Sequence, residues 1–144
     1  MWRKASAMAI ALTLGAAAAS QAATVSKRVK FAGEEWVRVD LNAEGVLVRE
    51  ISFNVAAGIH WNPLRAGKGP QCFVSVKNTS EREADLSVAI ALFDENDNLI
   101  AATESGHTGS LDPDETAEIK MTFREVNRRI GNARTVHIVL ETKR

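Results

Sequence analysis

The stretch "IALFDENDNLIA", residues 90–101, runs an alternating apolar strand into a polar cluster and returns to apolar residues. The cluster could be a metal loop or a hairpin turn. Asp94, Asn96 and Asn98 occupy positions 1, 3 and 5 of a calcium loop, and oxygen ligands at alternate positions suit a hard cation. The match then fails. Leu99 stands where the loop needs glycine, Ser105 where it needs glutamate, and strands flank it where helices should. Asn and Asp bond their own backbone and tolerate positive φ, which makes them turn formers. Glu95-Asn96-Asp97-Asn98 is therefore expected to join two antiparallel strands.

Period-2 patterning extends outward from this hairpin. Leu86, Val88, Ile90 and Leu92 give the cleanest alternation, and Leu99 to Thr103 form the returning strand. Upstream, Cys72, Val74 and Val76 form a strand closed by Asn78-Thr79-Ser80-Glu81. Val25, Val29 and Phe31 form another, ended by Ala32-Gly33-Glu34. Val37, Val39 and Leu41 follow, with a turn at Asn42-Ala43-Glu44-Gly45. Val46 and Val48 share one parity, while Ile51, Phe53 and Val55 share the other. A one-residue slip moves a strand's apolar set to the opposite face, so a bulge near Arg49 is expected. Downstream, Ala117, Ile119, Met121 and Phe123 alternate with Glu118, Lys120, Thr122 and Arg124, and Val136, Ile138 and Leu140 make the last strand. Only residues 124–130, REVNRRI, read as a short helix, with Gly131 as its stop. Strands every 8–12 residues predict an all-β antiparallel sandwich.

The segment "VKNTSEREADLSVAIALFDENDNLIA" resembles the bacterial FxLYD family, an immunoglobulin-like β-sandwich module. The resemblance rests on Val76-Lys77-Asn78-Thr79-Ser80, on Ile90-Ala91-Leu92-Phe93-Asp94, and on Leu111-Asp112-Pro113-Asp114-Glu115, where Asp114 replaces the family's glycine. It covers about residues 71–142. It implies the fold and an extracytoplasmic or membrane-linked setting, and it implies no catalytic residues.

The first 22 residues read as a secretory signal. Trp2, Arg3 and Lys4 give a basic start, residues 5–19 an apolar core, and Ser20-Gln21-Ala22 a cut before Ala23. The apolar run is short for a spanning helix. The expectation is one mature domain over residues 23–144, periplasmic or secreted, with no membrane span after cleavage. Eighteen basic and 18 acidic residues balance over the whole chain. Losing Arg3 and Lys4 leaves a slightly acidic mature protein, which argues against a nucleic-acid partner. The single cysteine, Cys72, alternates with core valines and reads as an inert buried thiol.

Chemistry-bearing motifs are weak. His60, His107 and His137 lie too far apart for a local metal site. No phosphate loop, nucleophile elbow or cofactor fingerprint is present. Ser105-Gly106-His107 reads as a polar loop, and Asn78-Thr79-Ser80 is formally a glycosylation sequon. The loop 57–70, AGIHWNPLRAGKGP, carries Trp61, Arg65 and Lys68 with no acid, the composition of a binding hot spot. Trp61 could equally fold back as a lid on the sandwich end. Residues 81–118 carry 11 acids and one base, whereas residues 119–144 carry seven bases and two acids. Arg124, Arg128 and Arg129 cluster there and could dock an acidic partner, or could simply neutralise acidic neighbours. These features suggest an exported, non-enzymatic interaction or structural module of the bacterial envelope, with a protein partner and no cofactor. The alternative is a glycan-binding module using Trp61 and Trp36, and a hydrolase with a hidden site is the remaining class.

Overall fold

The computed structural model describes residues 22–54, 69–105, 109–124 and 130–143. Nine strands are described: β1 (Ala23–Lys30), β2 (Val37–Ala43), β3 (Val46–Asn54), β4 (Gln71–Asn78), β5 (Ala84–Phe93), β6 (Leu99–Ser105), β7 (Ser110–Leu111), β8 (Thr116–Thr122) and β9 (Thr135–Lys143). They form two antiparallel sheets packed as a sandwich. One has the order β1-β9-β5-β6, with β7 also pairing β5, and the other has the order β2-β3-β4-β8. The expected all-β sandwich is thus the architecture found. A single 3-10 turn, Ile130–Asn132, is the helical element among the described residues. The expected helix over 124–130 lies mostly outside them.

Alternation builds the core. β5 buries Ala84, Leu86, Val88, Ile90 and Leu92, and β9 buries Val136, Ile138 and Leu140 against them. The facing sheet contributes Val39, Val46, Val48, Ile51, Cys72, Val74, Val76, Ile119 and Met121. Two inward rows of β-branched and leucine side chains exclude water between the sheets, which is the main stabilising term. Phe53 sits 4.8 Å from Phe31 and 6.3 Å from Phe123, ring centre to ring centre, and this trio fills one end of the core.

The parity switch in β3 is a bulge, as the sequence implies. The β3–β4 register slips between Val48 and Glu50, leaving Arg49 as the extra residue. A second bulge lies in β2 between Arg38 and Leu41, where Asp40 takes a left-handed φ of 51°. The following turn is shorter than the sequence suggests. Asn42 and Ala43 belong to β2, and only Glu44 (φ 49°) and Gly45 (φ 91°) turn the chain. Two consecutive positive φ values match the twist of the flanking strands.

The two sides of the sandwich are stitched differently. On one, the Lys27 ammonium of β1 donates to the Val39 carbonyl of β2 at 2.6 Å. On the other, the Thr103 hydroxyl of β6 donates to the Thr122 carbonyl of β8 at 3.1 Å.

Candidate functional site

Several side chains that carry chemical promise in the sequence serve the scaffold. Asp94 Oδ1 accepts the backbone N–H groups of Asn96 and Asn98, both at 2.9 Å, and its Oδ2 accepts the Asn98 amide at 3.1 Å. Asp97 then adopts φ 64°. This is a turn built by a side chain that mimics backbone. No cluster of three or more metal-ligating side chains occurs among the described residues.

Asn78 is fully buried. Its amide nitrogen donates to the Arg82 carbonyl at 2.7 Å and the Leu111 carbonyl at 2.9 Å. Its side-chain oxygen accepts from the Ser80 backbone N–H at 3.0 Å and the Ser80 hydroxyl at 2.7 Å. The sequon nitrogen is therefore enclosed in the fold. The Asn78 backbone also bonds Glu115 and Asp114 at 2.9 Å each. One residue thus ties the β4–β5 crossover to the turn before β8. In that turn Asp114 takes φ 63°, the conformation a glycine would adopt freely.

Ser105 faces inward. Its hydroxyl accepts the Val88 N–H at 2.9 Å and donates to the Val88 carbonyl at 3.3 Å. His107 lies outside the described residues. Cys72 is fully buried, and burial pushes its thiol up to about 12, although the backbone N–H groups of Met121 and Cys72 itself act in the opposite direction. Such a thiol is a poor nucleophile at neutral pH.

Of the sequence-predicted contact residues, Trp61, Arg65, Lys68, Arg128 and Arg129 lie outside the described residues. Arg124 is exposed just after β8. Trp36 is 47% exposed, and it is a large aromatic offered to solvent. Part of the segregated charge is neutralised within the fold. Arg28 pairs with Asp97 at 2.9 Å, and Lys77 pairs with Asp114 at 3.3 Å. Lys120, from the basic segment, lies 5.9 Å from the Phe73 ring centre.

One surface was not anticipated from the sequence. On the outer face of the larger sheet, register sets His137, Ala91 and Ala102 side by side, and sets Val139, Ala89 and Glu104 in the next row. These six line an open trough of about 310 Å³. Alanines create it, because each leaves the volume that a longer outward side chain would fill. At one end the Arg28 guanidinium lies 4.9 Å from the Phe93 ring centre and holds that ring in place. Phe93 pairs with Leu99, which is 59% exposed. At the other end the trough meets a polar hollow of about 220 Å³ that shares Glu104 and adds Asp85, Ser87, Glu141 and Lys143. The surface therefore grades from aromatic and leucine, through alanine, to acid. Outward alanines carry no signal in a hydropathy pattern, so only strand register could reveal it.

Compared with known proteins, the chain matches no family model and no curated protein.

Proposed function

We propose that this protein is an exported, non-enzymatic interaction module of the bacterial cell envelope, acting through a protein partner. The observation that carries the reading is the use made of its polar side chains. Asn78, Asp94 and Ser105 each bond backbone groups of the scaffold, and the Cys72 thiol is buried. Apolar surface, by contrast, is left on the outer sheet face. A rigid scaffold with an open face suits binding. Sandwich folds host many functions, so it is this surface and not the architecture that points to binding.

Export is supported by the placement of β1, which starts at Ala23, the residue after the proposed cut. No described helix is long and apolar enough to cross a membrane. Membership of the FxLYD family is supported by the part its three motifs play here. They hold Asp94 and Asp114, each in a turn at positive φ or beside one, and Asn78, which ties the β4–β5 crossover to the Asp114 turn. Glycan binding is a second reading, favoured by the exposed Trp36 ring.

Crosslinking followed by pull-down from an envelope extract tests the main reading. Recovery of one protein partner supports it, and retention on isolated envelope glycan with no protein captured favours the second reading. N-terminal sequencing of the exported form should read Ala23 first.

A further inference from the structure

We propose that the trough on the outer face of the larger sheet docks an extended segment of a partner protein. That segment places an apolar side chain over Ala89, Ala91 and Ala102, and a lysine or arginine two residues away over Glu104 and Glu141. This rests on the interaction-module reading and names the surface and the chemistry of its partner.

Three observations converge on this occupant. The first is charge. The hollow beyond the trough is lined by the carboxylates of Glu104 and Glu141, with Lys143 as the one ammonium among its lining residues. At the opposite end the nearest cation, Arg28, is already committed to Asp97 and the Phe93 ring. A cation on the partner is therefore drawn to one end only, which fixes direction as well as register.

The second is spacing. Phe93, Ala91, Ala89, Ser87 and Asp85 succeed one another on the outward face of β5. Successive outward side chains stand roughly 7 Å apart. An extended chain laid along β5 repeats at the same interval. An apolar residue in the alanine trough thus puts its i+2 neighbour beside the carboxylates.

The third is shape. The trough is open along the sheet and covers one side of whatever lies in it. A small-ligand pocket usually encloses most of its ligand. An open floor of small residues suits a chain segment whose other face meets solvent.

The test uses the exported form of the chain, ¹⁵N-labelled. The probe is a seven-residue peptide with threonine at odd positions and valine, leucine and lysine at the even ones. Binding should shift the amides of Ala89, Ala91, Ala102 and Val139. Glu104→Lys should weaken it at least tenfold, and Glu118→Lys, on the other sheet, should leave it unchanged. A second peptide with glutamate for lysine should fail on the native chain and recover on Glu104→Lys. No shifts at millimolar peptide, shifts elsewhere, or equal affinity for both peptides would overturn the proposal. So would concentration-dependent shifts at these residues without peptide, which would assign the trough to a second copy of the chain. Repeating the envelope pull-down with Ala102→Arg separates the two levels of argument. Loss of a partner captured by the native chain supports this surface. Equal capture by both chains removes the surface but leaves the module reading. Capture by neither removes both.

Discussion

Cys72 and Asn78 carry the sharpest consequences at the level of single residues. The Cys72 thiol is raised from 9.0 to about 12 in the folded state. The unfolded chain loses this proton near pH 9 while the folded chain keeps it. The stabilising contribution is therefore complete below about pH 9 and is lost as pH rises toward 12. Stability should fall by up to about 1.4 kcal/mol per pH unit above pH 9 relative to Cys72→Ala, measured by urea unfolding at several pH values. Native thiol labelling at neutral pH should be slow, and labelling in denaturant fast. Asn78→Ala should cost about 1–3 kcal/mol, because the buried Leu111 carbonyl loses the Asn78 amide. A melt settles this, and a loss below 1 kcal/mol would contradict the buried network. The sequence pointed to a buried Cys72 through parity alone. It could not show that Asn78 reaches Leu111, 33 residues away, because that bond depends on the crossover.

At the level of elements, the β5–β6 hairpin shows what can be read locally. Both its strands and its turn follow from alternation and from the Asp/Asn cluster. Asp94→Ala removes the acceptor for two backbone N–H groups and should cost about 1–2 kcal/mol by thermal or urea unfolding. Calcium or EDTA should leave the native melting midpoint unmoved, since a ligand that binds the folded state raises it. The β3 bulge was legible because Arg49 breaks the apolar parity. The β2 bulge was not, because Val37, Val39 and Leu41 keep their alternation straight through it. β7 was missed as well. Two residues, Ser110 and Leu111, pair with Asp85 and Ala84, and no periodic signal exists in a pair. The trough depends on three strands lying in register, which is information that no single strand holds.

For the whole molecule, the strand order matters more than any one contact. β9, the last strand, lies between β1 and β5 and pairs with both. A chain ending at Arg134 should therefore lose its cooperative melt, because the larger sheet is split through its middle. A chain beginning at Phe31 loses only an edge strand, most of whose residues are exposed, and should keep a cooperative but less stable transition. Calorimetry of the two truncations compares them, and equal damage from both would contradict the strand order. The same arrangement has a consequence in time. Ala23, where β1 begins, finds its partner in Thr142, so β1 must wait for every other described strand. Until β9 emerges from the ribosome or the far side of a membrane, β1 has no neighbour in its sheet, and β5 lacks one of its two long partners. A chain passed through a narrow channel from its N-terminus is thereby kept from completing this sandwich before β9 is through. The late pairing delays closure without a separate holding device, and the nine residues of β9 set the moment at which the larger sheet is complete.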